Sequence, residues 1–206
     1  MYQRRSRLTP RQQGKLIELF VAGTTTRAAA EIVGVEADTA IRFYQRLRIL
    51  IASKQPSYEL SGEIEADENY FGGVRKGKRG RGAAGKVAFF GLLKRGGKVY
   101  TATIPNARTE TLLPIIQEKV EPDSVVYTDA FNAYNALDVS ESHHRRINYT
   151  ELFAGSQNHT SGIESVWNQA KLHLRRFNGI MLKNFYWLQK GCEWRLNGGS
   201  HRDLLK

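Results

Sequence analysis

The first fifty residues place apolar side chains at helical spacing and separate them with helix-ending signals. Thr9 and Pro10 are typical of a helix start, with Thr as the N-cap and Pro at the first helical position, and Gly23 ends this pattern. The apolar stripe consists of Leu16, Ile17, Phe20 and Val21. Residues 27–33 predict a short Ala-rich helix, and residues 36–50 predict a third helix that carries several arginines.

Two helices joined by a turn containing glycine, the second of them rich in arginine, are typical of a helix-turn-helix motif. In this motif the second helix enters the major groove of DNA. The candidate DNA contacts on it are Arg42 and Arg46. A three-helix packing or dimerisation unit is the alternative, because similar turns occur in ordinary helix bundles.

From residue 63 the pattern changes to short runs that are alternating or continuously apolar. Glu63–Phe71 alternates apolar and polar residues and ends in two glycines, as a strand entering a loop does. Residues 86–93 and 98–104 are apolar and are separated by a short Lys/Arg/Gly turn, which predicts a β-hairpin. A helical stripe predicts a helix over residues 109–120, with Thr109 as its N-cap.

A fourth strand is predicted at residues 124–128, where a short apolar run leads directly into Asp129. Residues 131–137 predict a short helix, and residues 162–174 begin a long one. Three antiparallel strands, a crossover helix, a fourth strand and later helices together indicate an α/β sheet domain.

The chain is strongly basic, and the charge is unevenly distributed. It has 31 Lys+Arg against 20 Asp+Glu, a net charge of +11, which points to a polyanionic partner. A linker at residues 55–57 separates two predicted domains, residues 1–54 and 58–206, and the first has a net charge of +6. Residues 69–109 and 165–192 contain no carboxylate. This sorting predicts a positive surface that holds a few isolated acids, and chance clustering on a solvated surface is the alternative.

The single cysteine, Cys192, excludes an internal disulfide and a zinc site built from paired cysteines. No run of residues is long and apolar enough for a membrane span, and the basic start has no apolar signal core after it. We therefore expect a soluble cytoplasmic protein that has no membrane partner.

Three carboxylates stand at positions that need a physical reason. Asp67 lies inside a predicted strand, Asp129 ends another, and Glu164 lies in the first turn of a helix. A carboxylate within a sheet is costly unless it is paired or binds metal. Hard oxygen ligands suit Mg²⁺, and two such ions can catalyse displacement at phosphorus. Taken singly, each acid is equally well explained as a strand-end cap, a turn residue or a helix-dipole partner.

Three segments carry a resemblance to a known family. They are residues 65–73 (EADENYFGG), 126–130 (VYTDA) and 158–171 (NHTSGIESVWNQAK). The chain closely resembles, over essentially its whole length, small bacterial insertion-sequence transposases of the Asp-Asp-Glu type, in the ISXO2-like group. Residues 78–86 and 174–179 are similar as well.

The resemblance implies a ribonuclease-H-like fold with an N-terminal helix-turn-helix domain. It also implies that Asp67, Asp129 and Glu164 bind Mg²⁺ or Mn²⁺, two ions in all, and that Lys171 contacts DNA near the cut. Glu164 and Lys171 lie about two helical turns apart, ~10 Å, on one helix face. The predicted DNA contacts of this domain are Arg75, Lys76, Lys78, Arg79, Arg81, Lys86, His159, Lys171, Arg175 and Arg176.

Five further positions have open or secondary roles. His159 either touches substrate or organises the turn before the Glu164 helix, and Tyr149 stands where relatives often have His. Asn168 is the fallback third ligand. Strand alternation is taken to put Glu65 and Glu68 on the face opposite Asp67.

The predicted activity is DNA transposition. The protein would bind terminal inverted repeats through residues 1–54, cut strands with metal-activated water and join the new 3′ hydroxyl to target DNA. Joining two element ends implies a homodimer or larger assembly. The alternatives are a structure-selective, metal-dependent DNA nuclease and a DNA-binding regulator whose catalytic site has decayed.

Overall fold

The computed structural model describes residues 7–54, 59–72, 86–128, 143–146, 160–177 and 182–205. Its contacts form two compact units: a helical unit, Met1–Gln55 with Gly198–Lys206, and a sheet unit, Pro56–Asn197. The predicted linker at residues 55–57 and the predicted helix at residues 131–137 lie outside the described residues. Among the residues that are described, no helix is long and apolar enough to cross a membrane.

The described helices and strands fall into an all-α segment followed by a segment that contains both strands and helices. In chain order they are α1 (Pro10–Val21), α2 (Thr26–Val33), α3 (Ala37–Lys54), β1 (Glu63–Phe71), β2 (Val87–Lys94), β3 (Val99–Ile104), α4 (Thr109–Lys119), β4 (Val125–Thr128), β5 (His143–Arg146), α5 (Ser161–Leu174), α6 (Leu182–Leu196) and α7 (His201–Leu205).

The helical unit follows its sequence signals closely. Thr9 caps α1 through a capping box with Gln12, and Pro10 occupies the first turn, as predicted. Gly34 ends α2 in the left-handed conformation, with φ of 68°. The predicted third helix extends further, to Lys54, because Ile51 is buried and prolongs the apolar stripe of α3.

The end of the chain belongs to the helical unit. The sequence assigns residues 198–206 to the larger domain, whereas in the structure α7 lies against α1 and Leu204 is buried. Burial of one leucine is worth about 2 kcal/mol, which is enough to hold a short helix in place. The helical unit is thus completed by residues from the far end of the sequence.

Deletion of residues 198–206 is therefore expected to destabilise the helical unit selectively, by about 2 kcal/mol. Trp167, Trp187 and Trp194 all lie in the sheet unit, so tryptophan fluorescence reports on that unit alone. In urea unfolding, circular dichroism should show an earlier transition while the fluorescence midpoint stays unchanged. A shifted fluorescence midpoint would assign these residues to the sheet unit instead.

The sheet unit is built on a five-stranded mixed sheet of order β3-β2-β1-β4-β5. β1, β2 and β3 pair antiparallel, and β4 and β5 add in parallel. The predicted α/β class, the antiparallel strands, the crossover helix α4 and the fourth strand are confirmed, whereas β5 is an element that the sequence pattern did not predict. Arg108 occupies the N-cap position of α4, so the prediction of Thr109 at this position is wrong by one residue.

The two faces of the sheet carry separate apolar clusters. α4 covers one face, where Leu112 and Ile116 pack against Ile64 and Phe90. α5 and α6 cover the other face. That second cluster consists of Phe71, Phe89, Val99, Ile163, Val166, Trp167, Ala170, Phe185 and Cys192. The sheet therefore separates the face covered by α4 from the face on which α5 brings its side chains to β1.

β3 lies at the edge of the sheet, and side chains of α6 and of Asn197, the residue after it, bind its outer edge. The Val99 N–H donates to Oδ1 of Asn197 and the Val99 carbonyl accepts from Nδ2, both at 2.8 Å. The N–H and the hydroxyl of Thr101 donate to Oε2 of Glu193. Lys190 Nζ donates to the Thr101 carbonyl and to Glu193 Oε2, each at 2.8 Å. These bonds satisfy edge groups that would otherwise be open to pairing with another strand.

Tyr100 lies between Val99 and Thr101, and its pKa is affected by the charges of this buried cluster. Burial, followed by the negative charges of Glu193 and Glu118, raises the pKa of Tyr100. The ammonium groups of Lys190 and Lys119 lie 4.8 Å and 5.2 Å from the centre of its ring. The edge of β3 is thus covered by a charged cluster that contains both signs.

Candidate active site

Asp67 lies in the middle of β1 and faces α5. Its Oδ2 accepts a hydrogen bond from Trp167 Nε1 at 3.0 Å, and the Trp167 side chain is buried. Gly91 is the β2 partner of Asp67, and a Cβ at this position would lie 2.6 Å from the Trp167 ring. The indole therefore fits over β2 because residue 91 has no side chain. Trp167 therefore combines packing in the core with a hydrogen bond to a predicted metal ligand.

Glu65 lies on the same face as Asp67. Its Oε2 accepts a hydrogen bond from the Ile163 N–H, in the first turn of α5, at 2.8 Å. The expectation that Glu65 faces away from Asp67 is therefore wrong, because residues two apart on a strand share a face. Glu68 is 7% exposed and does lie on the other side, on the same strand face as buried Ala66, two residues before it.

These two contacts set the register of α5 on β1. Two strand residues span about 6.6 Å, and four helix residues span about 6 Å. The steps from Glu65 to Asp67 and from Ile163 to Trp167 therefore match in length. A shift of α5 by one turn would break both hydrogen bonds together. The two bonds therefore fix the position of α5 along β1.

The register places Glu164 and Lys171 on one exposed flank of α5. The opposite flank packs toward α6: Val166, Gln169 and His173 line a cavity of about 370 Å³ that also contacts Val99 of β3. Glu164, Asn168 and Lys171 are exposed, and at 100° per residue they lie on the flank away from α6. Because β4 follows β1 in the sheet order, that flank faces the β4 side of the sheet.

β4 runs parallel to β1 and pairs Tyr127 with Glu65. Its last residue, Thr128, is buried and is followed in the sequence by Asp129. Asp129 itself lies outside the described residues, as do His159 and Tyr149. The structure thus brings together the elements that carry Asp67 and Glu164, and β4 leads to the third acid.

An arginine in the β2–β3 turn joins this arrangement, and the sequence reasoning did not identify it. Arg95 donates from Nε to Glu65 Oε1 at 3.1 Å and approaches Glu63 Oε2 at 3.4 Å. Its guanidinium carbon lies 3.9 Å from the centre of the Tyr127 ring, and the Tyr127 hydroxyl donates to Glu63 at 2.7 Å. The sequence signal for this contact was Glu65, a buried-strand carboxylate on the same face as Asp67 that needs a cationic or N–H partner.

The predicted basic contacts divide into exposed residues and residues outside the described ranges. Lys171, Arg175 and Arg176 are exposed on or just after α5, and Lys86 is partly buried before β2. In the helical unit Arg42 and Arg46 are exposed on α3. Arg75, Lys76, Lys78, Arg79 and Arg81 lie outside the described residues.

Arg48, also on α3, differs from its two neighbours. Its guanidinium carbon lies 5.7 Å from the centre of the Phe20 ring and 6.0 Å from that of the Tyr44 ring. Those rings pack edge to face at 5.0 Å in the core of the helical unit. Arg42 and Arg46, by contrast, project from the exposed side of the helix.

The donors described so far suit a hard divalent cation, because Asp67 and Glu164 offer carboxylate oxygens. Within the described ranges, which omit residue 129, no group of three or more His, Cys, Asp or Glu side chains is arranged to hold a metal ion.

Substitution of Gly91 by Ala tests the docking of α5. The added Cβ would overlap the Trp167 ring, and overpacking of this kind costs about 1–3 kcal/mol. We expect a lower urea midpoint and altered tryptophan fluorescence. Gly191→Ala is the matched control, since a Cβ at that helical position meets no atom within 4 Å. Equal behaviour of the two variants would contradict the close approach of Trp167.

Comparison with known proteins identifies the family. Residues 59–197 match the ISXO2-like transposase domain. A stretch of 108 residues is 55% identical to an uncharacterized transposase-like protein of Haemophilus influenzae, covering 52% of this chain and 88% of that protein. The HTLV-2 integrase catalytic core domain in complex with magnesium gives a TM-score of 0.39 at 15% identity, over 69% of this chain and 88% of that one. The Mos1 transposase paired-end complex with left transposon end gives a TM-score of 0.32 at 12% identity, over 96% of this chain and 79% of that one. The match over most of the sheet unit shows that this chain belongs to the ISXO2-like family of insertion-sequence transposases.

Proposed function

We propose that the sheet unit cuts and joins DNA at an Asp-Asp-Glu site formed by Asp67, Asp129 and Glu164. The observation that carries this proposal is the docking of α5 on β1 through the Ile163 and Trp167 hydrogen bonds. It holds the helix of Glu164 alongside the strand of Asp67, next to the strand that precedes Asp129. The strand order, with β4 and β5 parallel to β1, supports the ribonuclease-H-like assignment.

The three acids would hold two ions of Mg²⁺ or Mn²⁺. When bound, such ions activate the attacking oxygen and stabilise the leaving oxygen during displacement at phosphorus. The chain's own contribution is to fix the carboxylates on rigid elements, since Asp67 is held by Trp167 and Glu164 by the register of α5. Water first displaces a strand end, and the freed 3′ hydroxyl then attacks a target phosphodiester, so one P–O bond forms as another breaks.

Lys171 and the neighbouring basic residues would hold the DNA backbone beside the acids. Lys171 is exposed on the same flank as Glu164, about two turns further along α5. Arg175 follows it at a spacing of four residues, so both cations can follow one strand. Such phosphate contacts are electrostatic and independent of base sequence.

The helical unit would recognise the terminal inverted repeats. Arg42 and Arg46 are exposed at helical spacing on α3, and the unit's first 54 residues carry a net charge of +6. The exposed face of α3 would enter the major groove, where arginine contacts guanine edges. Bringing two element ends together requires at least two copies of the chain.

A strand-transfer assay with Mg²⁺ or Mn²⁺ tests this proposal, using duplexes from the ends of the protein's own element. Cutting at the ends followed by joining to a second duplex is the expected result. Hydrolysis without joining would identify a nuclease, and specific binding without either reaction would identify a regulator. Both outcomes would overturn the proposed function.

A further inference from the structure

Glu65 is a buried carboxylate that joins three separate elements. The residue is 2% exposed. Its two oxygens accept from different donors: Oε2 from the Ile163 N–H at the start of α5, and Oε1 from Arg95 Nε in the β2–β3 turn. A buried carboxylate needs such donors to offset its desolvation, and an α-helix offers unsatisfied N–H groups and positive potential at its N-terminus.

The backbone of α5 is shaped for this contact. A Cβ on Gly162 would lie 2.8 Å from Glu65 Oε2 and 2.7 Å from a methyl carbon of Leu93. Only glycine therefore lets the first turn of α5 approach the carboxylate this closely. Thr160, in the N-cap position, makes no side-chain cap bond to this helix. Glu65 thus supplies from β1 a carboxylate that caps the helix from outside.

We propose that Glu65 is a positioning residue for the metal-binding acids, a role that rests on the proposed function. Glu164 directly follows the anchored Ile163, and Asp67 lies two residues after Glu65 on the same strand face. The Glu65 anchor therefore fixes the distance between the two ligands, although Glu65 itself does not touch metal or substrate. Arg95 holds the carboxylate in place from the opposite side.

Glu65→Gln tests the anchor, and Glu63→Gln is the matched control. A glutamine at 65 presents one oxygen and one NH₂ to two donors, so one bond must fail. Glu63 lies on the same strand and also approaches Arg95, but its side chain is 52% exposed, and its Oε1 accepts from the Tyr127 hydroxyl on β4. In the full-length chain, Mn²⁺ binding followed by electron paramagnetic resonance should weaken about tenfold or more in Glu65→Gln, as for residues that orient metal ligands. In Glu63→Gln it should change by no more than about twofold.

Hydrogen exchange of the backbone amides of residues 160–167 reports whether the bond between Glu65 and the Ile163 N–H is intact, and it does not depend on catalysis. Faster exchange in Glu65→Gln than in Glu63→Gln supports anchoring. Faster exchange with unchanged Mn²⁺ binding would show a merely structural bond and would overturn the positioning role. Equal exchange in the two variants would overturn the anchor itself.

Gly162→Ala provides a second route if Glu65→Gln does not fold, because it pushes α5 away from an intact carboxylate. It should reproduce both the faster exchange and the weaker Mn²⁺ binding, and wild-type behaviour would overturn the proposal. A wild-type chain that binds Mn²⁺ but fails to cut its element ends would overturn the proposed function alone. The comparison of Glu65→Gln with Glu63→Gln would still decide the role of the anchor.

Discussion

Replacement of Asp67 by Asn is expected to abolish strand cleavage and joining while leaving the fold and the binding of inverted-repeat DNA intact. The Asn carbonyl oxygen can still accept the hydrogen bond from Trp167 Nε1, so α5 keeps its register. The negative charge that would hold a divalent ion is lost. Because a bound metal contributes several kcal/mol of transition-state stabilisation, we expect a fall of about a thousandfold or more in cleavage rate. Cleavage and strand-transfer assays, with a mobility-shift assay for binding, measure these effects.

Two further variants extend this test, one at position 67 and one at position 129. Asp67→Ala removes the acceptor of the Trp167 bond as well, which should cost about 1 kcal/mol more in unfolding free energy than Asp67→Asn. Asp129→Ala should abolish cleavage and joining with inverted-repeat binding largely retained. Loss of binding in Asp129→Ala would mean that this residue is structural. Appreciable cleavage by Asp67→Asn would remove Asp67 from the proposed ligand set.

The choice between Glu164 and Asn168 as third ligand can be made in the same assays. Both side chains are exposed on one flank of α5, one turn apart, so position alone favours neither. Charge favours Glu164, because a carboxylate binds a hard cation more strongly than an amide does. Glu164→Gln should therefore be as inactive as Asp67→Asn, whereas Asn168→Ala should remain active.

The features that the sequence predicts well are local. The N-cap pair Thr9 and Pro10, the alternation of Glu63–Phe71 and the stripe of α4 depend on residues within one turn or one strand. The same holds for the exposed spacing of Glu164 and Lys171, which follows from helix geometry once the helix is identified. Short-range periodicity therefore recovers the mixed α/β class and the elements that carry two of the proposed ligands.

The features that it missed depend on contacts distant in sequence. Arg95 and Ile163 both reach Glu65, and nothing near Glu65 in the sequence announces either partner. The pairing of α7 with α1 joins opposite ends of the chain. The orientation of Glu65 is a different case, because alternation along a strand places residues 65 and 67 on the same face and so predicts it from the sequence alone.

The edge of β3 carries the second large prediction: Glu193→Ala is expected to destabilise the sheet unit by about 3–5 kcal/mol, the range for breaking a buried ion pair. Glu193 is 2% exposed and accepts from the Thr101 N–H, from the Thr101 hydroxyl and from Lys190 Nζ. Its removal leaves a buried ammonium without the carboxylate 2.8 Å away. Urea unfolding followed by tryptophan fluorescence, which reports on the sheet unit, measures the loss.

The chain contains a matched control for this prediction. Lys15 and Glu18 form a pair with the same spacing of three residues and the same distance of 2.8 Å, but both side chains are more than half exposed. The hydrogen bond that Lys15 donates lowers the pKa of Glu18. Because both groups are exposed, water solvates either charge when the partner is removed. Glu18→Ala should leave the circular-dichroism midpoint unchanged. Equal destabilisation by Glu18→Ala and Glu193→Ala would mean that burial does not set the strength of these pairs. Because the loss of Glu193 also uncovers the β3 edge, only Glu193→Ala should in addition self-associate as protein concentration rises.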